Sequence, residues 1–259
     1  MIDTKKYEET GFLFPINVVG AEEINLIRKD FELAEKELAH YPKRLSLLRS
    51  YPAQLLPLFD KLIRNENLVA AASAVLGPDL MVWSSGMFIK EASSPKIVTW
   101  HQDLTYWGLD NDEETTCWVA LSKANKASGC MKFIPGSHKE KIVAHVDTFD
   151  DNNLLSRGQE IAVKVNEQEA VDIELEAGQA SMHHGHLFHA SGPNKTNDRR
   201  IGCAIRYIKP SMKQLTGDKS LVTLVSGIDK YGHFKNVGKP SGRLSDKDFE
   251  LCSQDAQIK

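Results

Sequence analysis

Between residues 79 and 208 the chain is a succession of short segments rich in β-branched and aromatic residues. The segments are LMVWSSGMFI, KIVTWHQDLTYW, TTCWVALSKA, CMKFIPG, DIELEAG and RRIGCAIRYI. Turn signals separate them: Ser94-Pro95, Asp110-Asn111-Asp112, Ser128-Gly129, Pro135-Gly136 and Gly192-Pro193. Side chains of the first kind suit a pleated, half-buried surface, and the punctuating residues interrupt it. Many short strands in series close into a sandwich or a jelly roll.

Helices precede this region. Ile24, Ile27, Phe31, Ala34 and Leu38 recur at intervals of three and four, which predicts an amphipathic helix over 21–38. A second helical region runs from about Pro52 to Leu76 and is stopped by Gly77-Pro78. The reading is a single domain over 1–259: a mainly helical part at 1–78, a jelly-roll core at 79–208, and a tail or covering flap at 209–259. Residues 142–170 are polar and weakly patterned, and are expected to form a long insertion loop.

Composition narrows the function. A net charge of −3 argues against a general nucleic-acid binder. No run of 18 apolar residues predicts a membrane span. The start MIDTKKYEETGF lacks the apolar core of a signal peptide, and the closing DAQIK is not a peroxisomal address, so a cytoplasmic protein is expected. Cys117, Cys130, Cys203 and Cys252 show no CxxC pair, which disfavours a zinc–thiolate site. Those within apolar stretches read as reduced, buried thiols.

Chemistry concentrates in two places. His101-Gln102-Asp103 lies in a segment whose composition favours strand. On a strand, residues two apart share a face, so an imidazole and a carboxylate at that spacing can converge on one metal ion. A facial site of two histidines and one carboxylate needs a further histidine from elsewhere. Four of the nine histidines fall between His183 and His189. Strand alternation puts His183 and His189 on one face and His184 and His186 on the other, and leaves the first two equally open.

The run His189-Ala190-Ser191-Gly192-Pro193-Asn194-Lys195-Thr196, with Arg200 eleven residues after the histidine, resembles the phytanoyl-CoA dioxygenase family of Fe(II)/2-oxoglutarate oxygenases. That family carries H-x-S-x-x-N-[KR]-[ST] after its distal histidine, then an arginine at this spacing. The HQD triplet at 101–103, Trp118, the run from Gly129-Cys130 to Ile134-Pro135-Gly136-Ser137-His138, and the opening YEETGFLFP are also similar, in the family's order. The resemblance implies a double-stranded β-helix, the cupin-like jelly roll, with Fe(II) held by His101, Asp103 and His189. It implies 2-oxoglutarate as cosubstrate and O2 as oxidant. The far carboxylate of 2-oxoglutarate needs a cation, and the planar fork of Arg200 suits it, with Ser191 as a hydroxyl donor. Arg199 would point to the other face. Gln102, Trp118 and Met87 are expected to line the cosubstrate pocket, simple core packing being an equal reading for Trp118 and Met87.

Asp103 sets the reaction type. Related halogenases have Ala or Gly there, so hydroxylation or another C–H oxidation is expected. Alternation from His101 through Thr105 carries Trp107 to the inward side as a candidate substrate wall. Arg206 shares parity with Arg200 and is a candidate for an anionic substrate group. The expected substrate is a small polar metabolite. The competing reading is a divalent-metal jelly-roll hydrolase or isomerase, or a non-catalytic binding protein; a cation at position 200 has no purpose in a zinc hydrolase.

Overall fold

The structure is a computed structural model that describes residues 2–150, 152–155, 158–215 and 220–256. Its helices are α1 (Thr4–Thr10), α2 (Ala21–Glu37), α3 (Pro42–Ser50), α4 (Pro52–Leu55), α5 (Pro57–Ile63), α6 (Glu66–Leu76) and α7 (Asp246–Ala256). The strands are β1 (Phe12–Asn17), β2 (Leu80–Lys90), β3 (Val98–His101), β4 (Glu114–Ala120), β5 (Met131–Phe133), β6 (His145–Asp147) and β7 (Gln159–Ile161). They continue with β8 (Val171–Ile173), β9 (Gln179–His183), β10 (His189–Ser191), β11 (Arg200–Ile208), β12 (Leu221–Ser226) and β13 (Lys235–Asn236). The predicted helix after Pro52 is broken into three, because Pro57 opens α5 and Asn65 caps α6 through its side chain. Proline is at home in a first helical turn and disruptive in an interior.

A seven-stranded sheet in the order β1-β9-β4-β11-β2-β12-β13 faces a four-stranded sheet ordered β3-β10-β5-β8. This is the expected jelly roll, mainly β with flanking helices. Alternation along β11 divides the molecule into layers. Ile201, Cys203, Ile205 and Tyr207 pack against the helical layer, beside Leu48, Phe59 and Leu62. Arg200, Ala204 and Arg206 face the cavity between the sheets. Gly202 also takes this inward parity, and a Cβ there would fall 1.8 Å from the Trp118 ring. Glycine is what lets that indole lie flat across β11.

Three segments carry elements that the sequence reading did not name. The N-terminal part is not only helical: β1 completes the large sheet by pairing with β9. The expected insertion loop at 142–170 contains the β6–β7 hairpin. The described part of the segment after Pro210, expected as a covering flap or solvated tail, contains strands and a helix. Within it β12 pairs with β2. Asp255 of α7 accepts from the Leu221 N–H at 2.8 Å and from the Tyr51 hydroxyl at 3.0 Å. Residues 257–259, the last of the DAQIK terminus, lie outside the described residues. No helix among the described residues is long and apolar enough to cross a membrane.

Candidate metal centre

His101 ends β3 and His189 opens β10, and the two are direct partners across the antiparallel ladder. Their rings lie 4.0 Å apart by centroid, although 88 residues separate them in the chain. Each ring is oriented in the same way. His101 Nδ1 is 2.9 Å from the Thr99 carbonyl and His189 Nδ1 is 2.9 Å from the Leu187 carbonyl. A carbonyl only accepts, so Nδ1 carries the proton and the Nε2 lone pair is left for a metal.

Asp103 supplies the carboxylate. Its Oδ1 lies 3.6 Å from His101 Nε2 and 3.8 Å from His189 Nε2. Donors separated by roughly 3–4 Å can share an ion that bonds each at about 2 Å. His101, Asp103 and His189 therefore form a group able to hold a metal. Burial works to raise the Asp103 carboxyl, but contacts with His101 and His183 and the charges of His189 and Arg206 hold it well below the usual range. Burial holds His189 well below its ordinary value, in the neutral form that ligation requires.

Strand alternation alone left His183 and His189 equally open, and both enter the cavity. Only His189 converges with His101 on Asp103 Oδ1. His183 instead approaches Asp103 Oδ2 at 3.7 Å, where Thr116 Oγ1 also donates at 3.3 Å. His184 and His186 lie elsewhere. His184 Nδ1 accepts the His186 N–H at 3.0 Å, and His186 Nδ1 stands 3.6 Å from Asp112. His145 also stays outside the cavity, accepting the Gln102 N–H at 3.1 Å.

The anion-facing end is built from β2, β10 and β11. Arg200 is 2% exposed, and its Cζ lies 5.2 Å from the Trp118 ring centroid. Burial pushes its guanidinium down to about 10, and its Nε is buried without a partner among the described residues. Lys90, the ladder partner of Arg200, was not singled out in the sequence. A lysine closing an apolar strand reads as solvated, yet this one is fully buried. Its Nζ donates to Ser191 Oγ at 2.6 Å, to the Ser191 carbonyl at 3.2 Å and to the Gly192 carbonyl. Burial and the neighbouring Arg200 push it down to about 6. The buried Arg200 guanidinium, without a carboxylate partner among the described residues and with the buried Lys90 amine beside it, makes a strong demand for an anion. Because Ser191 Oγ already accepts from Lys90, its own proton is free to donate.

The structure redirects several expected residues. Trp118 and Ser191 do line the cavity with Arg200. Gln102 does not: its amide donates to the His186 carbonyl at 2.7 Å and to the Lys141 carbonyl, and accepts from the Val143 N–H at 2.9 Å. It braces the loop behind His101 and Asp103, on the opposite parity to His101. Met87 packs on the helix-facing side of β2, and Phe88 takes the inward place. Trp107 is not reached by strand alternation, because β3 ends at His101 and Asp103–Tyr106 form a 3-10 turn. Its indole instead packs on Trp83 at 5.2 Å. Arg199 points away as expected, pairing with Glu91 and Glu35 at 2.8 Å each.

Comparison with known proteins agrees with this geometry. The phytanoyl-CoA dioxygenase (PhyH) family model matches residues 7–202. A probable alpha-ketoglutarate-dependent hypophosphite dioxygenase of Stutzerimonas stutzeri is 27% identical over 236 residues, covering 82% of this chain and 80% of that protein. An ectoine dioxygenase of Streptomyces avermitilis is 24% identical over 216 residues, covering 75% and 73%. Among solved structures, the non-heme monooxygenase ThoJ in its apo form matches with a TM-score of 0.88 at 30% identity, covering 98% of this chain and 94% of that one. On these matches the chain belongs to the phytanoyl-CoA dioxygenase family and is an Fe(II)- and 2-oxoglutarate-dependent dioxygenase.

Proposed function

We propose that this enzyme hydroxylates, or otherwise oxidises, a C–H bond of a small polar metabolite in the cytoplasm. The observation that carries the reading is the Asp103 carboxylate, turned toward His101 and His189 with its Oδ1. With that carboxylate as third ligand, the position that a halide would need is filled. His101, Asp103 and His189 are the residues proposed to hold Fe(II). When bound, the iron supplies oxidation by O2 coupled to decarboxylation of 2-oxoglutarate.

The chain's own residues bind and orient. Arg200 takes the far carboxylate of 2-oxoglutarate through its fork, Ser191 donates its hydroxyl to the same group, and Trp118 supports the guanidinium from one face. Thr116 donates to the free oxygen of Asp103, which His183 also approaches. No separate acid–base residue is assigned, because abstraction of hydrogen from carbon needs none. The relatives named for hypophosphite and for ectoine both take small polar compounds, which supports that substrate class. Four buried free cysteines are in keeping with a reducing compartment.

The test has two stages. Anaerobic titration of the Fe(II) enzyme with 2-oxoglutarate should develop a weak visible charge-transfer band. Turnover of small polar metabolites under labelled O2 in high chloride should then give a product with one labelled oxygen and no chlorine. A chlorinated product from the unmodified enzyme would overturn the assignment.

A further inference from the structure

The metal-facing cavity holds a second arginine that the cosubstrate does not use. Arg206 lies six residues beyond Arg200 on β11 with the same inward parity, which places it about 20 Å further along the strand. Both arginines line the cavity together with His101, Asp103, His183 and His189. A five-carbon dianion anchored at Arg200 and chelated at the metal ends at the metal, so Arg206 is left over.

Arg206 is held but not satisfied. Its Cζ lies 5.0 Å from the Trp107 ring and 5.9 Å from the Phe88 ring, so two aromatic faces fix its plane. Its Nε is buried without a hydrogen-bond partner, and its one polar contact among the described residues is a long 3.4 Å bond from Nη1 to Ser84 Oγ. Asp103 and Glu114 are near enough to feel its charge, but neither forms an ion pair with it. Asp103 is committed to the metal. A buried guanidinium edge without an acid is costly unless a ligand completes it.

There is room for such a ligand. Arg206 and Phe88 also border a groove of about 560 Å³ between α3 and β2, edged by the hydroxyls of Ser46, Ser50 and Ser84. Gly86 lies beside the guanidinium, a Cβ there being in ordinary contact with Arg206 Nη1 at 3.7 Å. The guanidinium thus stands where the groove meets the metal cavity.

We infer that Arg206 anchors an oxyanion of the substrate, a carboxylate or a phosphonate, so that the groove delivers an anionic small molecule with its reacting C–H bond at the metal. This rests on the proposed oxygenase reading and narrows the substrate to molecules that carry such a group.

The test uses matched probes on the anaerobic enzyme loaded with Fe(II) and saturating 2-oxoglutarate. Benzoate, phenylphosphonate and the uncharged benzamide are titrated at up to millimolar concentrations. Binding is read calorimetrically and by perturbation of the charge-transfer band. The anions should bind at least roughly tenfold more tightly than the amide. Arg206→Gln should abolish that preference and Arg206→Lys should retain part of it, both with 2-oxoglutarate affinity unchanged. Equal binding of the three probes, absence of binding by all of them, or a preference that survives in Arg206→Gln would overturn the assignment. Displacement of 2-oxoglutarate by the anions would also overturn it, by placing them at Arg200. Failure of the unmodified Fe(II) enzyme to take up 2-oxoglutarate is a separate result that removes the oxygenase reading and this one with it.

Discussion

His183 Nε2 lies 3.7 Å from Asp103 Oδ2, the carboxylate oxygen turned away from His101 and His189. The two oxygens thus have different neighbours: Oδ1 faces His101 and His189, and Oδ2 accepts from Thr116 with His183 close by. Partners of this kind typically tune metal affinity by about 10- to 100-fold, whereas a ligand is indispensable. Alanine at His101, Asp103 or His189 should therefore abolish Fe(II) binding in an equilibrium metal titration, with the fold retained by circular dichroism. His183→Ala should weaken binding within that range, and alanine at His184 or His186 should change it little. Loss of metal in His183→Ala, with retention in His189→Ala, would show the wrong distal histidine to have been chosen.

Arg200 should dominate cosubstrate affinity. Removing one partner of a buried, hydrogen-bonded charge pair costs about 2–5 kcal/mol, so Arg200→Ala should weaken 2-oxoglutarate by roughly 30- to several-thousand-fold. Lysine should recover only part of this, because a point charge does not reproduce the fork. Arg199→Ala, which breaks pairs with Glu91 and Glu35, should lower stability by about 1 kcal/mol or less and leave cosubstrate affinity unchanged. Calorimetric titration of 2-oxoglutarate into the anaerobic Fe(II) enzymes measures all three.

Gly202 and Trp118 form a size-matched pair. A methyl group at 202 would overlap the indole, at 1.8 Å from its nearest atom. Gly202→Ala should displace Trp118 from beneath Arg200 and lower stability by about 1–3 kcal/mol, the usual cost of overpacking. Denaturant unfolding should show this loss, and 2-oxoglutarate affinity should fall with it. Full stability and affinity in the variant would mean that the indole does not support Arg200.

The thiols should be inert in the native enzyme. Burial pushes Cys130 up to about 11 and Cys203 up to about 12, and burial with the charge of Glu114 raises Cys117 further. Thiolate is the reactive form, and these groups stay protonated across the neutral range. Native protein should consume almost no thiol reagent near pH 8, and four equivalents should react after unfolding. Rapid native labelling at Cys117, Cys130 or Cys203 would contradict the packing described.

The legible parts of this protein were those governed by local spacing. Alternation along RRIGCAIRYI set Arg200 and Arg206 on one face and Arg199 on the other, because a strand turns its side chains through half a revolution per residue. The motif that begins at His189 singled out a histidine that alternation alone could not separate from His183. The same reasoning failed where the backbone changed its period. Trp107 was carried past His101 as if the strand continued, but a 3-10 turn begins at Asp103. Met87 was one residue from the inward position, which Phe88 holds.

The sequence by itself determined the order of short strands, the ligand types and the arginine at the required spacing, since each depends on residues close in the chain. The tertiary structure alone decided that His101 and His189 are ladder partners, that Lys90 lies buried behind Ser191, and that Gln102 braces a loop instead of facing the cosubstrate. Those outcomes depend on contacts between segments 84 to 101 residues apart in the chain and on which polar group finds an acceptor once water is excluded, and no local pattern encodes either.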